Sequence, residues 1–199
     1  MKDIFKNTDL HFLTPIELIV LGFAMEAHGR QLRKYTEEPY ILHPVDVASI
    51  IAPHDKSGVM VPAALLHDVL EDTNVNHPML FDFLQKVYPE DKAKIIYTLV
   101  DELTDVYTHE KFPIHNRKTR KKLERQRLAN ISANAQSLKY ADMLSNTPSI
   151  VERDPGFAET YLVEINETLE VINKGVISLY TEVRKVVWAG MEELEIRVS

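Results

Sequence analysis

The sequence predicts an all-α fold, a bundle of roughly eight to ten helices. Apolar residues recur with the 3.6-residue helical period in one window after another, and no stretch alternates with the two-residue period of a strand. Prolines 15, 44, 62, 78 and 155 all fall where a helix would begin, the one region of a helix that tolerates them. Internal repeats and low-complexity tracts are absent from the chain.

At 199 residues the chain is long enough for one domain with a proper core, or at most two small ones. We expect a single domain over 1–199, with its core at about 15–185 and a loosely held N-terminal arm at 1–13. The 45% apolar and 27% charged content suits a soluble protein. The chain has no cysteine, which excludes disulfides, thiolate metal sites and cysteine nucleophiles, and fits a cytoplasmic location. The polar start Met1-Lys2-Asp3 is unlike a signal peptide, and no apolar run approaches the ~20 residues of a membrane span. A net charge of −7 argues against broad nucleic-acid binding. No pattern in the chain specifies an oligomeric state.

In order, Thr14 and Glu17 have capping-box spacing around Pro15, opening a helix that runs to His28 and stops at Gly29. A polar loop with Arg33-Lys34 follows. Pro44 suits the first turn of the next helix and disfavours helical geometry at His43, which places His43 at a loop-to-helix junction. A turn at 53–58 leads to a helix with Pro62 in its first turn. Helices from Pro78 to Tyr88 and from Glu90 to Thr104 come next. Asp105 to Asn116 reads as an exposed loop able to order over a ligand.

Arg117 to Arg127 carries seven basic residues and one acid, Glu124. It suits a solvated helix face with pairs such as Arg120–Glu124, and its local positive charge would steer a phosphorylated ligand. Leu138, Ala141 and Leu144 mark a buried helix face that Asp142 borders, so this carboxylate needs a partner. Asp154-Pro155 starts a helix running to about Asn173. Gly175 is a break, and a last helix covers 176–194.

The stretch Ala63 to Thr73, AALLHDVLEDT, begins as a buried helix and ends in ionisable groups. On one helix, His67–Glu71 and Asp68–Asp72 are i,i+4 pairs that stack along adjacent rows. Three acids so close beside an apolar run call for a compensating cation. His43, His67, Asp68 and Asp142 offer nitrogen and oxygen without sulfur, a donor set for Mn²⁺, Fe²⁺, Co²⁺ or Zn²⁺. Such an ion acidifies the water it binds.

The motifs resemble the HD-domain metal-dependent phosphohydrolases, and within them the ppGpp hydrolases of the RelA/SpoT type and their free-standing metazoan counterpart. The resemblance is carried by Arg33-Lys34 with PYILHP at 39–44, by AALLHDVLEDT, by Val100 to Asp105 (VDELTD) and by Lys139 to Asn146 (KYADMLSN). It implies one divalent ion, usually Mn²⁺, on His43, His67, Asp68 and Asp142. It also implies that Glu71 and Asp72 orient and deprotonate the attacking water. Arg33, Lys34, Asn146 and Tyr161 would line the nucleotide, and the reaction would be hydrolysis of the 3′-pyrophosphate of a guanosine alarmone. Two departures bear on the substrate: Pro148 replaces the family's usual arginine after the asparagine, and Glu37 and Glu38 stand where small residues and glycine are usual. The alternatives are another nucleotide as substrate (an adenosine alarmone, NADPH or a nucleoside phosphate), a nucleotide sensor without turnover, or an HD phosphodiesterase acting on cyclic nucleotides or nucleic-acid ends. His28 reads as a structural or supporting residue, and His11, His54, His77, His109 and His115 as surface residues.

Overall fold

In the computed structural model, residues 4–6 and 8–196 are described. They form two compact units, one ending at Thr104 and one starting at Asp105. Among the described residues there are ten α-helices and one 3-10 turn, with no strand.

The first unit is built around α3 (Met60–Leu66), in which every residue is buried. A helix apolar on all sides must be enclosed. It is packed by α1 (Pro15–His28), α2 (Leu42–Ile51) and α6 (Glu90–Leu103). Leu65 and Leu66 are fully buried, so truncating either to alanine costs about 2–5 kcal/mol. The start of α3 is held by Asp55, whose carboxylate accepts from the Val59 and Val61 amides at 3.2 and 2.8 Å.

The predicted capping box of α1 is present. The Thr14 amide donates to Glu17 Oε2 at 2.7 Å, and the Glu17 amide to Thr14 Oγ1 at 3.3 Å. Gly29 ends the helix at φ 56°, in the left-handed region that favours glycine. α5 (His77–Val87) is capped by Asn76 and pairs with α6. Phe23 of α1 stacks on Phe83 of α5 with centroids 4.0 Å apart.

Three expectations need correction here. Phe5 and Leu13 are buried, so the described part of the N-terminal arm is anchored by its apolar side chains; residues 1–3 and 7 lie outside the described residues. His43 lies inside the first turn of α2, one residue past its start, rather than before it. The preceding turn winds into the helix through i→i+3 bonds, Leu42 N to Pro39 O and His43 N to Tyr40 O, and Pro44 needs no donor there. The third concerns the central helix. It breaks after Leu66, passes through a turn at His67-Asp68, and resumes as the short α4 (Val69–Asp72). Asp68, at φ −98° and ψ −5°, opens the turn and becomes the residue flanking α4. The four ionisable groups therefore do not ride on one continuous helix.

The second unit contains α7 (Arg117–Leu128), α8 (Ala133–Arg153), α9 (Pro155–Leu169) and α10 (Ile177–Glu193). α8 packs on α9 and α10, and α7 packs on α9. Side chains of Asn116, Ser132 and Asp154 cap α7, α8 and α9. α8 continues through Pro148, which is exposed and lacks the amide that would close its helical hydrogen bond. α9 stops at Leu169, short of Asn173.

Candidate metal centre and nucleotide pocket

In the first unit, three side chains converge. His43 comes from the first turn of α2, and His67 and Asp68 from the turn between α3 and α4. One ligand atom from each lies within 4.8 Å of the other two. Asp68 Oδ2 is 3.0 Å from His67 Nε2 and 3.6 Å from His43 Nε2. Both imidazoles are buried, and the rings meet edge-on with centroids 5.1 Å apart. His67 Nδ1 lies 2.8 Å from the Ala64 carbonyl. A carbonyl only accepts, so Nδ1 carries the proton and Nε2 keeps its lone pair on the side of Asp68. Two imidazole nitrogens and a carboxylate oxygen are the donor chemistry a borderline divalent ion takes, so these residues fit such an ion.

The helix break serves this convergence. Adjacent positions of a regular helix point about 100° apart, whereas the turn lets His67 and Asp68 face one another. The Asp68 carbonyl accepts from the Glu71 and Asp72 amides at 3.1 and 2.9 Å, folding α4 back beside the same turn. Glu71 and Asp72 are exposed. Partial desolvation, and next the charge of Asp68, push the Asp72 carboxyl above the usual range, while the Tyr40 hydroxyl, His28 and His67 act in the other direction.

Tyr40 was given no role by the sequence, although it belongs to the PYILHP segment. Its hydroxyl donates to Asp68 Oδ2 at 2.6 Å. The signal was its place one turn before His43. His28 is buried, with Nδ1 2.8 Å from Gln31 Oε1 and its ring against that of Tyr40, in keeping with a supporting role. His77, expected at the surface, is exposed there, and meets Tyr97 and Asp101.

Arg33 and Lys34 lie on a hairpin-like loop. It is closed by the isolated bridge Leu32–Pro39 and turned at Glu37, which adopts φ 56° without being glycine. Arg33 is drawn to Asp46, one turn after His43 on α2, at 3.5 Å. Lys34 Nζ meets the Tyr35 hydroxyl at 3.0 Å.

In the second unit, Asp142, Asn146 and Tyr161 are brought together in a cavity of about 280 Å³ also lined by Lys121, Arg125 and Lys139. The partner that Asp142 requires is double. Lys139 Nζ lies 3.0 Å from Oδ2, and Asn146 Nδ2 donates to Oδ1 at 2.7 Å. Asn146 is mid-helix, not at a helix end. The Tyr161 hydroxyl is 3.4 Å from Thr147 Oγ1, and burial pushes it well above the usual phenol range.

The basic helix α7 is less free than its composition implies. Arg117 makes a two-pronged pair with Glu164 at 2.7 and 2.8 Å, and Arg125 meets Glu167 at 2.7 Å. Glu124 does not pair with Arg120, which donates instead to the His115 carbonyl. It is buried, accepting from Arg127 Nε at 2.7 Å and from the Val106 and Tyr107 amides at 3.2 and 3.1 Å. The start of the 105–116 loop is thereby fastened to α7.

Comparison with known proteins agrees with this geometry. The model of the HD domain family matches residues 21–149. Guanosine-3′,5′-bis(diphosphate) 3′-pyrophosphohydrolase MESH1 of Xenopus tropicalis is 32% identical over 160 residues, covering 77% of this chain and 80% of the relative. The human protein of the same name is 34% identical over 158 residues, with the same 77% and 80% coverage. A solved metazoan orthologue of SpoT, described as hydrolysing ppGpp, superposes with a TM-score of 0.74 at 22% identity, over 93% of this chain and 98% of its own, and so shares the fold. This chain belongs to the HD domain family, in the branch that holds the guanosine-3′,5′-bis(diphosphate) 3′-pyrophosphohydrolases.

Proposed function

We propose that this protein is a metal-dependent hydrolase that removes the 3′-pyrophosphate from guanosine alarmones. Water adds to phosphorus, the bond to the 3′ oxygen breaks, and GDP or GTP leaves with pyrophosphate. The observation that carries this reading is the convergence of His43, His67 and Asp68 in a chain about one-third identical to named pyrophosphohydrolases. The ligands in this reading are those three and Asp142, holding one divalent ion, for which we propose Mn²⁺. The ion supplies acidified water and offsets charge on the phosphoryl group.

The side chains then have distinct tasks. Glu71 and Asp72, at the end of α4, take the proton from water and orient it. Carboxylates beside a metal-bound water are what proton abstraction needs. Asn146, Tyr161 and the lysines and arginines of the second-unit cavity bind the nucleotide, and Arg33 and Lys34 contact it from the hairpin-like loop. We read the whole chain as one hydrolase domain, because the family match runs from residue 21 to residue 149 across the division between the units. A cytoplasmic location accords with a chain lacking cysteine.

Pro148 favours a second reading, in which the same chemistry acts on another nucleotide, since a proline offers no phosphate contact where the family has arginine. One experiment separates the two. Metal-free protein is incubated with ppGpp, with and without Mn²⁺, and the products are resolved by anion exchange. GDP and pyrophosphate appearing only with metal is the expected result. Intact ppGpp beside demonstrable Mn²⁺ binding would transfer the reading to another nucleotide.

A further inference from the structure

We propose that Tyr40 is a positioning residue for the metal site, its hydroxyl holding the Asp68 carboxylate in the orientation that turns Oδ2 toward His43 and His67. This rests on the reading of His43, His67 and Asp68 as metal ligands.

The geometry around the hydroxyl is specific. Tyr40 donates to Oδ2 at 2.6 Å, and the same oxygen is the one nearest both imidazole Nε2 atoms. A carboxylate oxygen has two lone pairs. The phenol engages one of them on the oxygen that stands nearest both imidazoles. The terminal torsion of an aspartate is broad and does not select an orientation unaided. A hydrogen bond of this length to a charged acceptor does.

The ring itself is clamped. It meets two imidazoles, that of His28 with its centroid 4.8 Å away and tilted by 34°, and that of His43 5.9 Å away at 73°. His28 is in turn held by Gln31 through its Nδ1. The backbone repeats the frame, with Tyr40 N bonded to Gln31 O at 2.9 Å and Tyr40 O accepting from His43 N at 2.9 Å. The segment 28–43 thus fixes one ligand, His43, through its backbone and a second, Asp68, through a phenol. Groups that hydrogen-bond a metal ligand from behind typically change affinity 10- to 100-fold when removed.

The test is Mn²⁺ titration of metal-free wild-type, Tyr40→Phe and Tyr97→Phe proteins, following free Mn²⁺ by electron paramagnetic resonance. Thermal unfolding of each metal-free form is measured in parallel. Phenylalanine keeps the clamped ring and removes only the donor. The expected result is roughly 10- to 100-fold weaker Mn²⁺ binding for Tyr40→Phe, with metal-free melting close to wild type and Tyr97→Phe unchanged in both. Affinity within twofold of wild type would overturn the proposal while leaving the metal site intact. A Tyr40→Phe chain that does not fold would assign Tyr40 to the core and overturn it as well. A wild-type protein that does not bind Mn²⁺ would remove the metal reading itself, and this inference with it.

Discussion

His67 and Asp68 are neighbours in sequence, yet His67 Nε2 and Asp68 Oδ2 face each other at 3.0 Å. The turn between α3 and α4 makes this possible, and the Ala64 carbonyl sets the tautomer by accepting a hydrogen bond from Nδ1–H. In the proposed reading this site binds an ion in the folded chain and not in the unfolded one. Mn²⁺ at a hundredfold excess over its Kd should therefore stabilise the protein by about 2.7 kcal/mol. For a chain of this size that raises Tm by roughly 5–10 °C. Asp68→Ala should abolish the increment, as calorimetry with and without metal will report.

Glu71 is exposed, so its carboxylate contributes little to the fold. Glu71→Gln should leave Tm within a degree or two and lower kcat by about 10²–10⁴, with KM little changed. Steady-state assay on ppGpp measures both. Normal turnover in this variant would remove Glu71 from water activation.

Glu124 is a buried carboxylate that holds Arg127 and two amides of the 105–116 loop. Removing it takes the buried carboxylate from a guanidinium and two amide donors together. Glu124→Ala should cost about 3–5 kcal/mol, the usual penalty for breaking a buried pair from one side. Urea unfolding will show it, and a loss below about 1 kcal/mol would mean that water replaces the carboxylate.

Gly175 stands against α8. A Cβ there would come 2.6 Å from Tyr140 Cε2 and 2.9 Å from the Ser137 amide, closer than such atoms approach. Backbone cannot yield as a flexible side chain does, so Gly175→Ala should destabilise by about 1–3 kcal/mol, read from the denaturant midpoint.

The fully buried Tyr140 donates its hydroxyl to the Ile172 carbonyl at 2.7 Å. Burial pushes this phenol up to about 12, with an opposing effect of the Gly175 backbone and a smaller rise from Tyr180. Because the folded value exceeds the unfolded one of about 10, its contribution is whole below pH ~10. It is lost as pH rises through the folded value. Stability of the wild type should fall between pH 9 and 11.5 more steeply than that of Tyr140→Phe, as denaturant midpoints across that range will show.

Much of this was legible in the sequence because it is local. The Thr14–Glu17 capping box, the first-turn prolines and the period of the apolar residues each act within one or two helical turns. HDVLED at 67–72 and PYILHP at 39–44 carried the resemblance to the HD domain family, which the comparisons show. The sequence also indicated that Asp142 needs a partner, and Lys139 and Asn146, which meet it, lie within about one turn of it.

Where local rules met longer-range packing, the outcome changed. The sequence by itself determined the helices, their caps and the residue types of a nitrogen–oxygen metal site. Only the tertiary structure decided that the helix would break at His67-Asp68, that Glu124 would leave Arg120 for two amides 17 and 18 residues away, and that the Tyr40 hydroxyl would find Asp68 across 28 residues of chain. A buried carboxylate takes whichever donors the packed chain brings within reach, and the cost of leaving it unpaired exceeds the few tenths of a kcal/mol that separate one local helix pairing from another.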